Sequence, residues 1–370
     1  MNWTLVTDDA GMQAALADIA GADAVAVDTE FMRRNTFYPQ PALLQLNATG
    51  HAWLIDPLAI QDLDPLKEWM SNSESIKLLH SCSEDMEVFR HWLGVVPMPL
   101  VDTQRIAPLV GEPAGLGYRA IVERLSGVEI DKGETRSDWL RRPLTESQCH
   151  YAALDVLELL PVWEVLLERA EALGRQDWLL RDADDFFSGQ EERDREPFRR
   201  VKGAGRLSRR SLEVLRQLWE WRESRARDAD RPRGWVLDDK ACIAIATTLP
   251  THTGALAELD VLPPAVLRKK GDRLLEIVKA AREIDESDLP AAAPRPLGGA
   301  QRDQLKSAKA QLKVIGESLD IASEALMAGA DLELLVREAS GEVVSIPKRW
   351  TGWRLELVVE PLRTHLGGDS

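Results

Sequence analysis

Apolar and polar positions fall along this chain in runs short enough to name its elements. Residues 24–31, Ala-Val-Ala-Val-Asp-Thr-Glu-Phe, form a valine-containing apolar run that predicts a buried strand. Residues 42–47 (Ala-Leu-Leu-Gln-Leu-Asn) and 52–56 (Ala-Trp-Leu-Ile-Asp) predict two more, and Thr49-Gly50 between them supplies the turn of a hairpin. Residues 62–72 read as a helix, 76–80 (Ile-Lys-Leu-Leu-His) as a fourth strand, and 83–93 as the helix after it. Val101-Asp102-Thr103 predicts a short fifth strand, and from there to about residue 181 leucines recur at helical spacing. Strands first, then alternating helix and strand, then helices: this order predicts an α/β architecture, a mixed sheet covered by helices.

The pattern changes after residue 181. Residues 182–206 are dominated by charge and read as a linker with room for one short helix. Residues 207–284 hold no strand pattern, and Leu212, Leu215, Leu218, Trp219 and Trp221 mark a small all-helical domain. Residues 285–299 are a Pro/Ala/Gly linker. Residues 300–370 are again helical and of similar size, which suggests an internal duplication. The expected division is 1–181, linker 182–206, 207–284, linker 285–299, and 300–370.

Composition narrows the class. A chain of 370 residues suits two or three domains. The net charge of -15 argues against a protein that coats nucleic acid nonspecifically. That charge is uneven: residues 1–197 carry -18, residues 198–235 carry +7, and residues 236–370 carry -4. The basic segment is either a solvated helix surface or a face that holds a polyanion while an acidic site works on it. Cys82, Cys149 and Cys242 are too widely spaced for a disulfide scaffold or a CxxC site. No apolar run reaches the ~18 residues of a membrane span. The stretch Met1–Asp9 has no basic or apolar leader, so the expected compartment is the cytoplasm.

Three acidic features carry chemistry. Asp28 and Glu30 are two apart on a predicted strand, so both carboxylates project from one face. Two like charges so placed cost stability unless a cation balances them, and hard divalent cations prefer such oxygens. Tyr151 and Asp155 are four apart in a predicted helix and share its face, beside the small Ala152 and Ala153. His80-Ser81-Cys82-Ser83-Glu84-Asp85 closes a strand and opens a helix, with Ser83 as the expected N-cap and Asp85 in the first turn.

Together these spell Asp-x-Glu on a strand, Asp at a helix start and Tyr-x-x-x-Asp on a later helix. The set resembles the tyrosine branch of the DEDD 3'-to-5' exonucleases. Tyr38-Pro39-Gln40, Leu44-Gln45-Leu46, Asp131 through Leu140, Arg142-Pro143-Leu144 and Tyr151 through Val156 resemble bacterial ribonuclease D. The two helical units are similar to HRDC domains, the second chiefly through Trp350-Thr351-Gly352-Trp353-Arg354. The resemblance implies a ribonuclease H-like sheet followed by two small all-α HRDC-like domains.

It further implies a metal-dependent exoribonuclease that releases nucleoside 5'-monophosphates from the 3' end, with 3'-extended tRNA precursors as substrates. Asp28, Glu30, Asp85 and Asp155 would hold two Mg2+ (or Mn2+) ions, with Asp28 bridging them, and four carboxylates match two divalent charges. Tyr151 would orient the attacking water. Thr29, Phe31, Met32, His80 and Arg136 are expected at the substrate, and Arg33, Arg34, Arg141 and Arg142 are further candidate phosphate contacts. Phe31 is open to two readings, a base wedge or a core side chain. A monomer with no obligate protein partner and no membrane is expected. The catalytic motifs alone also fit a DNA 3'-5' exonuclease, and retained residues alone fit an inactive RNA-binding protein.

Overall fold

In this computed structural model the described residues are 2–72, 74–130 and 133–367. Asp131 and Lys132 of the ribonuclease D-like stretch lie outside them. Along the chain run β1 (Trp3–Val6), α1 (Asp9–Asp18), β2 (Ala24–Met32), β3 (Gln40–Asn47), β4 (Ala52–Ile55), α2 (Asp64–Asn72), β5 (Ile76–Leu79), α3 (Ser83–Trp92) and β6 (Leu100–Asp102). Then follow α4 (Thr103–Ile106), α5 (Tyr118–Ser126), α6 (Glu146–Leu157), α7 (Leu159–Ala172) and α8 (Gln176–Asp194). Helices α9 (Arg209–Asp228), α10 (Arg233–Val236), α11 (Asp239–Thr248), α12 (Thr253–Ala257) and α13 (Pro264–Glu283) come next. The last are α14 (Gly299–Leu319), α15 (Ser323–Leu326), α16 (Gly329–Ala339), α17 (Gly352–Arg354) and α18 (Glu360–Gly367).

The six strands form one mixed sheet in the order β1-β4-β3-β2-β5-β6. β2 lies inside it, antiparallel to β3 and parallel to β5. β3 and β4 pair antiparallel, as the Thr49-Gly50 turn predicts. Strand periodicity sends alternate side chains to two cores. Ala26, Leu43, Leu54 and Leu78 meet Ile121, Ala152, Ala153 and Val156 on one face. Val25, Val27, Leu44, Leu46, Ile55 and Leu79 meet Met12, Leu66, Met70, Met86 and Phe89 on the other. Asp28 and Glu30 share the parity of Ala26, so they emerge on the face that α6 covers. Asn47 Nδ2 donates to Val156 O at 3.0 Å and pins that helix to β3.

Three local readings change. The pattern gave five strands and missed β1, a four-residue edge that buries only Val6 and pairs with the distant β4. Ser83 does not cap α3: Cys82 holds the cap position with no side-chain hydrogen bond. The Ser81 and Cys82 N–H groups instead donate to the Asp102 carboxylate at 2.9 and 3.0 Å. The charged stretch after residue 181 begins inside the 19-residue α8. Leu179, Ala183 and Phe186 give that helix a buried face at helical spacing, which the surrounding charges hide from a composition reading.

The chain divides into two compact units. One holds the chain up to Met32, Pro39–Gln190 and the chain from Leu297 onward. Within it the last helices share a core with the sheet through Leu312, Leu335 and Leu362. Trp178 stacks on Trp353 with ring centroids 4.2 Å apart, and Arg354 pairs with Asp185 at 2.9 Å. Arg175 donates to both Leu109 O and Leu319 O, at 2.7 and 2.6 Å.

The other unit holds Arg33–Tyr38 and Glu191–Pro296. Its core gathers Leu212, Leu215 and Leu218 from α9, Ile245 from α11, and Leu274 and Ile277 from α13. The two helical series are alike in spacing: α10 and α15 each begin 24 residues after the start of the long helix before them, α11 and α16 each begin 30 after. No helix among the described residues is long and apolar enough to cross a membrane.

Candidate active site

Asp28 and Glu30 stand near the end of β2, just before a break in the ladder between Glu30 and Phe31. Asp155 comes from α6, whose start is fixed by a capping box between Thr145 and Gln148. One ligand oxygen from each of Asp28, Glu30 and Asp155 lies within 4.8 Å of the others. They line a recess of about 410 Å³ together with Tyr151, Tyr118 and Arg119. Asp85 falls outside the trio. It is buried in the first turn of α3, where the Thr29 hydroxyl donates to it. Thr29 lies between the two carboxylates in sequence and points to the opposite face, so its side chain serves Asp85 rather than the recess.

Among the described residues, no ion pair neutralises any of the four carboxylates. Their protonation shows the cost. Burial, then Asp155, Asp85 and Glu30, pushes Asp28 well above the ordinary range. Burial, Asp155 and Asp85 push Glu30 up to about 9. Burial pushes Asp155 up to about 7, and Asp85 also to about 7 despite the opposing Thr29 hydrogen bond. Such a donor set, all oxygen and short of positive charge, fits divalent cations. Burial and the neighbouring Asp155 likewise push Tyr151 up to about 12, against a hydrogen bond with Thr135. Its phenol is therefore neutral near pH 7 and able to donate.

The remaining expected residues divide. His80 lines the recess with both ring nitrogens engaged, Nδ1 with the Thr103 hydroxyl at 2.9 Å and Nε2 with Leu116 O at 3.1 Å. Burial lowers its pKa, so the ring is fixed and neutral. Phe31 and Met32 are half-buried at the end of β2, and Met32 packs at the edge of the core. Arg136 is exposed on the loop before α6. Arg142 belongs to the fold: it forks onto Asp56 at 2.6 Å and donates to Ala42 O and Trp139 O, each at 2.7 Å. Arg33 donates twice to Phe37 O, at 3.0 and 2.8 Å.

Two recess residues went unread in the sequence. Tyr118 donates to Leu154 O at 2.7 Å and meets His80 edge-on, with centroids 5.7 Å apart. Arg119 is an exposed cation on the same wall. Both sit at a loop-to-helix junction, where no apolar period marks a residue. The basic segment also differs from its composition. Arg199, Arg209, Arg210, Arg216, Arg222 and Arg233 are all spent on carboxylates or carbonyls of the same unit.

Residues 3–171 match the 3'-5' exonuclease family, and residues 211–278 match the HRDC domain. The mixed sheet and its acidic recess thus belong to a 3'-5' exonuclease that carries an HRDC module. The ribonuclease D of Pseudomonas paraeruginosa is 37% identical over 96% of both chains. That of Escherichia coli is 35% identical over 99% of both. The crystal structure of Escherichia coli RNase D, described as an exoribonuclease involved in structured RNA processing, superposes with a TM-score of 0.88 at 34% identity, covering 100% of this chain and 99% of that one. The chain belongs to the ribonuclease D family and is a hydrolase of the 3'-5' exoribonuclease type.

Proposed function

We propose that this enzyme trims the 3' ends of structured RNAs, tRNA precursors with 3' extensions foremost, releasing nucleoside 5'-monophosphates. The observation that carries the reading is the convergence of Asp28, Glu30 and Asp155, none of them in an ion pair among the described residues, beside Tyr151 in one recess. These three and Asp85 would hold two Mg2+ or Mn2+ ions. Bound there, the metals supply charge balance to the attacking and leaving oxygens and acidify the attacking water.

The chain's own residues do the rest. Tyr151, one turn before Asp155, directs its hydroxyl at the water and orients it. Thr29 fixes Asp85, and His80 with Tyr118 shapes the recess wall. Phe31 and Met32, at the exit of β2, meet the terminal bases, and Arg119 and Arg136 meet phosphates. The helical unit at 207–284, and the HRDC-like helices at 300–370, hold the body of the RNA through phosphate contacts. The protein works as a cytoplasmic monomer.

The test is an end-labelled, 3'-extended tRNA with Mg2+, run beside EDTA, a 3'-blocked RNA and the matching single-stranded DNA. Metal-dependent loss of nucleotides from the free RNA end, with DNA spared, is expected. Equal cutting of DNA would replace the RNA reading with a DNA exonuclease. Tight binding with no cutting would leave an RNA-binding protein.

A further inference from the structure

Six residues, Arg33–Tyr38, follow the strand that carries Asp28 and Glu30 and belong by their contacts to the second compact unit. Their anchorage is specific. Asp230 lies just past the end of α9 in a left-handed conformation, with φ of 43°. Its Oδ1 accepts the backbone N–H groups of Phe37 and Tyr38 at 2.9 and 3.1 Å. Phe37, only 5% exposed, packs with Ala226 and Val236. The guanidinium groups of Arg233 and Arg227 lie over its ring, at 4.4 and 5.3 Å from the centroid. Arg233 is itself held by the buried Glu223. The loop also closes on itself, through Arg33 on Phe37 O and the Thr36 hydroxyl on Tyr38 O at 2.7 Å.

The β2–β3 register shifts between Glu30 and Phe31, a bulge directly after the second carboxylate, and pairing resumes with Phe31 on Pro41 and Met32 on Gln40, so the loop Arg33–Tyr38 closes a short bulged hairpin whose geometry bears on both carboxylates. We propose that Phe37 and Asp230 are positioning residues that hold the loop between β2 and β3 and, through the chain that continues from it, fix Asp28 and Glu30 for metal binding and hydrolysis. A folded second unit then becomes a condition for full chemistry, not only for holding RNA. This rests on the exonuclease reading, because the rate it affects is that of hydrolysis.

The test uses the full chain with Asp230→Ala and Asp230→Asn. Asparagine keeps the side-chain carbonyl that accepts the two N–H groups and tolerates positive φ. The readouts are single-turnover hydrolysis at saturating RNA, the Mg2+ concentration giving half the maximal rate, Mg2+ affinity by calorimetry, and RNA affinity in EDTA. Asp230→Ala is expected to slow single-turnover hydrolysis about tenfold, within the ~hundredfold that a ~1 Å misplacement of catalytic groups can cost. It should also weaken Mg2+ binding several-fold while leaving RNA affinity within about twofold. Asp230→Asn should behave as wild type, and Phe37→Ala should follow Asp230→Ala. Wild-type rate and Mg2+ dependence in Asp230→Ala would overturn the inference. So would an Asp230→Asn variant as impaired as Asp230→Ala, or weaker RNA binding with unchanged chemistry. A wild-type protein that binds Mg2+ but trims no RNA would remove the exonuclease reading, and Mg2+ affinity would still decide the anchor.

Discussion

The acidic recess and the basic segment 199–233 handle charge in opposite ways. In the segment, Arg216, Arg222 and Arg233 hold Glu213, Asp239 and Glu223, and two of those carboxylates are almost wholly buried. At the active site, Asp28, Glu30 and Asp155 converge in the recess, the buried Asp85 adds its charge from α3, and none of the four is held in an ion pair among the described residues. A run of like charge in a sequence therefore says little by itself. What matters is whether the fold supplies the opposite charge. Where it does, the charge serves stability; where it does not, a ligand is expected to supply it.

The largest effect should come from the recess. Asp28→Asn or Asp155→Asn removes a charge that the metals require and should slow 3' trimming by about a thousand-fold or more, several kcal/mol of barrier. The fold should survive, and in EDTA the melting temperature should rise because like-charge repulsion falls. Wild-type hydrolysis in either variant would erase the contrast between the two regions.

A second test follows from protonation. Asp28, Glu30, Asp85 and Asp155 hold their protons longer in the folded chain than in the unfolded one, where carboxylates titrate near 4. Without metal, their contribution to stability is therefore greatest below that range and falls as the pH rises through about 7 and on to about 9. In EDTA the melting temperature should drop by roughly 5–10 °C between pH 5 and pH 9. Saturating Mg2+ should remove most of that drop, and Glu30→Gln should make it shallower. A profile in EDTA that is flat, or that Glu30→Gln leaves unchanged, would mean that the recess charges are balanced by other means.

The basic segment should respond in stability instead. Arg216 holds Glu213, 1% exposed, through two hydrogen bonds of 2.8 and 2.6 Å. Arg216→Ala removes the counter-charge of that carboxylate, leaving it the Gln217 amide at 2.8 Å, and should cost about 2 kcal/mol, less than a fully buried pair because Arg216 is partly solvated. Urea unfolding measures this. Single-turnover hydrolysis at saturating RNA should stay at the wild-type rate, and a large loss there would give the arginine a catalytic share.

Much of this contrast was legible in the sequence because it rests on period. Asp28 and Glu30 at strand spacing, and Tyr151 and Asp155 at helix spacing, fall on shared faces by geometry alone. The sheet followed from apolar runs flanked by turn chemistry. What stayed hidden depends on distant partners. β1 has too few buried residues to announce itself, and its partner is β4. Ser83 looks like a cap until Asp102 is seen to satisfy the neighbouring N–H groups. Arg142 looks like a phosphate contact until Asp56 is found beneath it. Tyr118 and Arg119 carry no periodic signal, and only folding brings them to the recess.

Arg136 gives the smallest and most discriminating test, because it stands between the two regimes. It lies on the loop leading to the helix of Tyr151 and Asp155, yet it is exposed. An exposed cation that touches one phosphate adds to affinity through counterion release and not to the chemical step. Arg136→Ala should therefore weaken RNA binding about two- to threefold at moderate salt and reduce the slope of log affinity against log salt by about one. Stability should change by less than about 0.5 kcal/mol, as for most surface substitutions. An unchanged salt slope would return Arg136 to the solvated surface. A loss of single-turnover rate at saturating RNA would move it into the recess beside Tyr151.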